Sequence, residues 1–390
     1  MSEIASPKLS AEGERSFRWA KAHMGALTTL TADYVGSKAL SGVKLGVCLH
    51  VTKETSVLVD ALLKAGAEVT LAGANPLSTQ DDIAAFLAER AEVHAWRGQT
   101  AKEYNSCIDK VLRSRPAQLI DDGGDLHVAA HEHKTRGIAG GSEETTTGVV
   151  RLRAMESEGL LAYPVIAVND AKTKFMFDNR YGTGQSTLDG IMRATALLLA
   201  GKHIVVVGYG WVGKGVAMRA RGMGAIVTVV EVDPVRALEA HLEGYEVTSI
   251  EKAATLGDLF ITATGQRDVI PYDAIELMRD GAILANAGHF DVEIDVATLL
   301  SKAKSVRETR PNVDEVALPR GKKVYLIGKG RIANLVAAEG HPPEVMQMSF
   351  ANQFLAAVKI RREAKSLEPK VYGVSSEAQT WVALAPLSLR

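Results

Sequence analysis

Four glycines in GYGWVGKG (208–215) stand between an apolar run, HIVVVGYG (203–210), and an amphipathic segment, GKGVAMRARGMG (213–224). A strand that turns into a helix in this way aims its backbone N–H groups at a pyrophosphate, because the first helical turn leaves those donors unpaired and the helix dipole favours negative charge. Gly208 permits the tight turn, Gly210 lets the phosphates approach the backbone, and Gly213 lets the helix start close against the strand. The next run, AIVTVVEVD (225–233), is rich in β-branched residues and reads as a second strand ending in Glu231 and Asp233, about twenty residues beyond the turn. A carboxylate there accepts from both ribose hydroxyls and repels a 2′-phosphate, so the expected cofactor is NAD, with Glu231 as the ribose contact and Asp233 the second choice.

Other residues able to move protons fall at the ends of predicted strands. KLGVCLHV (44–51) reads as strand, TSVLVDALLKAG (55–66) as helix, AEVTLAG (67–73) as strand, and AQLIDDGGD (117–125) as a strand running into a polar turn. Open parallel sheets place ligand groups at the carboxyl ends of their strands, where His50, Asn75, Asp121 and Asp122 lie. His127, His131, Glu132 and His133 form an HxxxHEH cluster. It lacks the HExxH pattern, and neighbours on a helix point apart, so no metal is expected; these histidines are placed on a helix surface or at the edge of a substrate channel.

These groups need two bodies to hold them. The expected fold is α/β: a two-domain clamp with a Rossmann-type, doubly wound NAD domain at 185–339 inserted in an α/β substrate domain at 1–184. Strands of the inserted domain are expected near 203–208, 225–231, 258–263, 282–286 and 323–328. A return helix at 340–365 crosses back to the first domain, with a hinge at each crossing, and 366–390 forms a tail. At 390 residues there is room for both domains, and a net charge of −1 without a basic cluster argues against nucleic acid. No apolar run suits a membrane span, and MSEIASPKLSAEGERS looks like neither a signal nor a transit peptide, so a cytoplasmic protein is expected. Cys48 and Cys107 cannot build a disulfide framework.

HVTKET, STQD, DDGGDL, SEETTTG, the lysine before FDNRYG, GYGWVGKG, NAGHFD and EGHPPEVM occur in the order seen in the S-adenosylhomocysteine hydrolase family, and over roughly residues 10–370 the chain resembles that family. The resemblance implies a tightly bound NAD restored in every turnover and a small-molecule substrate, S-adenosylhomocysteine, converted reversibly to adenosine and homocysteine. The unactivated thioether explains the residue types: a ketone made at the ribose 3′ carbon acidifies the 4′ hydrogen, homocysteine is eliminated, water adds, and the ketone is reduced back.

By resemblance, Lys174 is the base at the 3′-hydroxyl, Asp178 and Glu144 accept from the ribose hydroxyls, and Asp122 and His50 handle the 4′ hydrogen and the leaving sulfur or incoming water. His289 reaches the 3′ oxygen from the cofactor side, and domain closure completes the site. Thr52, Glu54 and His341 meet the adenine, where a Glu54 carboxylate accepts from the exocyclic amine and would repel the carbonyl of hypoxanthine. Some archaeal relatives that favour the inosine analogue resemble LHLEAKT here, while HVTKET looks like the adenosine type. For the cofactor the resemblance adds hydroxyls of Thr145, Thr146 and Thr147, Asn179 near the nicotinamide, the turn residues Trp211, Val212, Lys214 and Gly215, a loop at Ala287, Gly288 and His289, and Asn334 at the carboxamide.

Thr183 in YGTGQS stands where many members carry a cysteine, and GKGR (328–331) replaces the commoner AEGR or GEGR. Members usually continue into an extension whose lysine and tyrosine reach the NAD of a neighbouring subunit; the sequence stops at Arg390, and looser NAD retention is expected. The family also implies a homotetramer. Two rivals stand beside this reading. A plain NAD-dependent dehydrogenase has no reason for EETTTG with DDGGDL, and a non-catalytic regulator is expected to lose Lys174, Asp178, His50 or His289, all of which are present.

Overall fold

The computed structural model describes residues 2–387, which divide into two compact units: 2–175 together with 343–387, and 176–342. In the first unit the chain forms β1 (Lys44–Leu49), β2 (Glu68–Gly73), β3 (Glu92–His94), β4 (Gln118–Asp121), β5 (Gly140–Glu143) and β6 (Val165–Ala167). The second carries β7 (His203–Val207), β8 (Ile226–Val230), β9 (Glu246–Val247), β10 (Leu259–Thr262), β11 (Ala282–Asn286), β12 (Ser305–Arg310), β13 (Val313–Ala317) and β14 (Lys323–Ile327). After a long helix, Pro343–Glu363, the chain adds β15 (Val371–Gly373) to the first unit.

The first sheet has the order β15-β6-β5-β4-β1-β2-β3 and is parallel at every pairing. Its strands are buried from the second residue onward in β1 and β2 and throughout β4 and β5, as expected of a parallel sheet covered on both faces. Helices Lys53–Lys64 and Pro343–Glu363 contribute Val57, Leu58, Leu62, Phe350, Phe354 and Val358 to one core cluster with Val47, Leu49 and Leu71 of the sheet. The second sheet runs β12-β13-β14-β11-β10-β7-β8-β9, parallel except at the β12–β13 and β13–β14 pairs. No described helix is long and apolar enough to cross a membrane.

The boundary between units falls after Phe175, ahead of the 184/185 position read from sequence. DNRYG (178–182) forms a π-helical turn that runs into the helix Thr183–Thr195 and packs on the helix Trp211–Gly222 of the second unit. A methyl group at Gly215 would sit 1.8 Å from the Arg180 carbonyl oxygen, which shows how close that packing is. Residues 366–387 are more than a tail: β15 pairs with β6, and Ser375 caps a further helix, Ser376–Leu384.

Candidate active site

His50, Asp122 and Glu144 each follow the last residue of β1, β4 or β5, three strands that are neighbours in the first sheet. Because side chains beyond the ends of adjacent parallel strands project from one edge, this sheet order places the three in one row. His50 Nδ1 lies 2.6 Å from Ser78 Oγ, whose hydroxyl also donates to the Asn75 carbonyl at 3.2 Å. That arrangement puts the Nδ1 proton toward Ser78 and turns Nε2 toward Asp122 Oδ2, 3.7 Å away. Gly123 and Gly124 take positive φ values of 112° and 83°, the left-handed turn that lets the helix Asp125–Glu132 start just behind Asp122.

Glu144 is gripped by the long helix Pro343–Glu363. Ser349 donates a short hydrogen bond to its Oε1, and Gln353 Nε2 donates to Oε2 at 2.6 Å. Gln353 Oε1 in turn accepts from Ser142 Oγ at 2.6 Å. Lys174 Nζ stands 3.7 Å from Glu144 Oε1, with both side chains buried. The neighbouring Thr173 hydroxyl accepts from Asn352 Nδ2 at 2.9 Å, so the same helix fixes the lysine's segment as well. Ser349, Asn352 and Gln353 escaped the sequence reading because their helix shows only an apolar face, and nothing local marks which polar residues face inward.

Thr52 is the N-cap of the helix Lys53–Lys64 and accepts from Thr55 N, while Glu54 is buried at its first turn. Burial pushes the Glu54 carboxyl up, against the pull of the Lys53 ammonium 3.2 Å from Oε1. Thr145 is likewise an N-cap, of the helix Thr146–Ser157: its hydroxyl donates to Glu143 and accepts from Gly148 N, and Thr146 donates to Asn169 Oδ1 at 3.1 Å. These threonines and half-buried Thr147 lie in the first unit, whereas the glycine turn lies in the second.

The HxxxHEH side chains do not converge. His127 is fully buried rather than on a helix surface, with Nδ1 at 3.1 Å from Tyr163 Oη and Nε2 at 3.2 Å from the Ser142 carbonyl. His131 bonds the His127 carbonyl and takes Ala162 N, exposed His133 pairs with Asp109, and Glu132 is exposed.

In the second unit the turn after β7 is built as its glycines require. Gly208 has φ 101°, and a methyl at Gly213 would lie 1.9 Å from the Gly208 carbonyl oxygen. At Gly210 a methyl would meet nothing nearer than Arg236 Nη1 at 3.8 Å, so this position opens outward and leaves the cradle in front of the helix Trp211–Gly222 free. Trp211 and Val212 open that helix. Lys214 turns to Glu239, 2.6 Å away, and lies over the Trp211 ring. Glu231 follows β8 with Oε2 accepting from Tyr209 N at 2.7 Å and Oε1 from Val232 N and Asp233 N. Asp233 is taken up as the N-cap of the helix Pro234–Leu242.

Ala287, Gly288 and His289 follow β11 in a loop held by two side chains the sequence reading passed over. Asn286 accepts from Gly288 N at 2.7 Å and donates to the carbonyls of Phe290 and Gly330, while buried Glu293 accepts from Thr264 N and Gly265 N. His341 sits among Asp178 (3.4 Å), Thr183 (3.2 Å) and Ser186 (3.1 Å). Asn334 donates to Ser186 at 3.1 Å, and its Oδ1 is buried with no hydrogen-bond partner among the described residues, an acceptor left for an amide such as the nicotinamide carboxamide. The open cradle at Gly210, the carboxylate at Glu231 and this orphaned acceptor fit NAD.

The family model described as "S-adenosyl-L-homocysteine hydrolase" matches residues 2–136, and the one for the NAD binding domain of the same enzyme matches 179–340. Adenosylhomocysteinase of Aeropyrum pernix is 58% identical over 379 residues, 96% of this chain and 91% of that protein. The chain belongs to the S-adenosyl-L-homocysteine hydrolase family. Its cofactor is NAD. Within the family, S-inosyl-L-homocysteine hydrolase of Methanocaldococcus jannaschii is 53% identical, covering 98% of this chain and 93% of that protein. The solved structure of a dipicolinate synthase component from Bacillus halodurans aligns with 84% of this chain and 99% of its own at a TM-score of 0.51 and 15% identity, a likeness of fold alone.

Proposed function

We propose that this hydrolase cleaves S-adenosyl-L-homocysteine reversibly to adenosine and L-homocysteine through a 3′-keto intermediate. The observation that carries the reading is the pairing at the ends of β1, β4 and β5: His50 with Asp122, and Lys174 with Glu144, each 3.7 Å apart. The reaction needs two proton-handling sites on one ribose, and these are two such pairs.

NAD, when bound, supplies the hydride acceptor for the 3′ carbon and returns the hydride at the end of the cycle. Lys174 takes the proton of the 3′-hydroxyl and gives it back. Glu144, held by Ser349 and Gln353, accepts from the ribose hydroxyls and keeps Lys174 supplied with a partner for its charge. Asp178 is assigned a ribose hydroxyl too. Asp122 and His50 together remove the 4′ hydrogen and protonate the leaving sulfur, and in the second half they deprotonate water. Thr52, Glu54 and His341 are assigned to the base, and Thr145, Thr146, Thr147, Asn179, Glu231, His289 and Asn334 to NAD. A homotetramer in the cytoplasm belongs to the same reading on family likeness, and light scattering of the purified protein tests the first half of that statement.

The test is to incubate the protein with S-adenosylhomocysteine, with its inosyl analogue, and with adenosine plus homocysteine while following nicotinamide absorbance. Interconversion with a transient reduced signal and no net NAD consumption is expected, and Lys174→Ala abolishes the transient. Accumulating free NADH overturns the reading in favour of a plain dehydrogenase, and tight nucleoside binding without turnover overturns it in favour of a regulator.

A further inference from the structure

Directly behind Asp122 and Glu144 lie two more carboxyls that the mechanism does not use. Asp121 and Glu143 are the last residues of β4 and β5 and are direct partners in the register of that parallel pair. Both are fully buried. Asp121 accepts from Asp122 N at 2.9 Å and, through its other oxygen, from His127 N at 2.8 Å. Glu143 Oε1 accepts from Gly123 N, Thr145 N and the Thr145 hydroxyl, all at 2.8 Å. The two carboxyls therefore pin both turns, DDGG and EETT, from below.

We propose that Asp121 and Glu143 hold one proton between them, on Glu143 Oε2, and that this singly charged pair positions Asp122 and Glu144 for the reaction. One carboxyl oxygen of each residue and a ring nitrogen of His127 lie within 4.8 Å of one another. Two full negative charges at that separation, both shut off from solvent, are unfavourable enough that one carboxyl takes a proton. Of the four oxygens, Glu143 Oε2 alone accepts no hydrogen bond among the described residues, and it is buried, so it is the place for the proton.

Among the described residues, the groups facing the pair supply no countercharge. From the helix Asp125–Glu132, His127 is held neutral, because burial pushes its imidazole down to about 3. Its two nitrogens are occupied by Tyr163 and the Ser142 carbonyl, which leaves no lone pair for a metal ion. Asp125 is committed to Arg151 at 2.7 Å and to Tyr104, and the same guanidinium nitrogen bonds the Gly123 carbonyl. From β1, Cys48 is a buried thiol pushed well up by burial. From the helix Thr146–Ser157, Gly148 lies so near that a methyl on it would be 2.1 Å from Glu143 Cδ. Burial also drives Asp121 up to about 7 and Glu143 well above the usual carboxyl range, each raised further by the nearby acids.

The consequence for catalysis rests on the reading of Asp122 and Glu144 given above. With the proton in place, Asp122 faces a single neighbouring charge and works with His50. Once the proton leaves at alkaline pH, two charges repel beneath the two turns, and both acids are displaced.

Infrared spectra of the NAD-loaded protein in heavy water, without substrate, test the pair directly. At neutral pH the wild type minus Glu143→Gln difference is expected to show the carbonyl stretch of a protonated carboxyl, and in the wild type that band fades on raising the pH in step with the alkaline fall of kcat. Glu143→Gln, a permanent mimic of the protonated state, retains most of kcat near neutrality and loses the alkaline fall, whereas Asp121→Asn, which offers an N–H to backbone donors, loses about tenfold to hundredfold. A difference spectrum without the band overturns the shared proton whether or not the variant folds well, since the wild-type titration must show the same group. A band that titrates while the pH profile of Glu143→Gln stays that of the wild type overturns the positioning role alone, and neither spectrum depends on which substrate is turned over.

Discussion

Gln353 donates to Glu144 Oε2 at 2.6 Å across 209 positions of sequence. The carboxylate proposed to meet the ribose is thus aimed by a helix that belongs to the far end of the chain. Its other oxygen is taken by Ser349, one helical turn earlier. Gln353→Leu removes a hydrogen bond to a buried charge, worth about 2 kcal/mol, and is expected to lower kcat about thirtyfold with a smaller change in KM. Steady-state kinetics in both directions check this; an unchanged kcat would show that Glu144 is positioned without its glutamine.

His127 gives a pH dependence of stability. Its folded imidazole is held down to about 3 by burial, against 6.5 when exposed. The unfolded chain therefore binds a proton below about 6.5 that the folded chain refuses, and stability falls as pH is lowered through that window. At pH 5 the loss attributable to this group is about 2 kcal/mol. Urea midpoints at pH 7 and 5 should separate more for the wild type than for His127→Gln, which can still bridge Tyr163 and the Ser142 carbonyl.

Two glycines of one turn should fail in different ways. Gly213→Ala forces a methyl to within 1.9 Å of the Gly208 carbonyl and should destabilise the second unit itself, lowering the melting temperature. Gly210→Ala meets nothing nearer than 3.8 Å and should melt like the NAD-free wild type, yet it fills the approach to the phosphates and should release NAD. Melting curves together with NAD extracted per chain distinguish the two.

Base preference should turn on Glu54. A glutamine there can present an N–H to a carbonyl as readily as an oxygen to an amine. Glu54→Gln is expected to raise the ratio of kcat/KM for the inosyl over the adenosyl substrate by about tenfold or more. A wild type that already prefers the inosyl compound would contradict the assignment of Glu54.

What the sequence reveals and conceals follows from range. The turn at 208–215 and the acid at 231 are legible because strand, turn and helix are contiguous and the glycines mark close approach. β5, with the residues GGSE, has no β-branched residue, and β6 is only three residues long, so neither announces itself, although β5 carries the approach to Glu144. The antiparallel β12–β13 pair is hidden for another reason: every residue of β12 is exposed, so no apolar alternation exists to be read. Ser349, Gln353, Asn286 and Glu293 act on loops far away in sequence or on backbone amides, and polar residues of that kind look local until the fold is known.

β15 and the helix Pro343–Glu363 complete the first sheet and its core, yet they are made after all of residues 176–342. On the ribosome, therefore, the unit born in the middle is the first whose entire chain is available, while the earlier-born unit still lacks its final strand and a wall of its core. Glu144 receives Ser349 and Gln353 only when synthesis is nearly over. The order of birth completes the chain of the cofactor unit before Glu144, the acid proposed for the ribose, can be set in place.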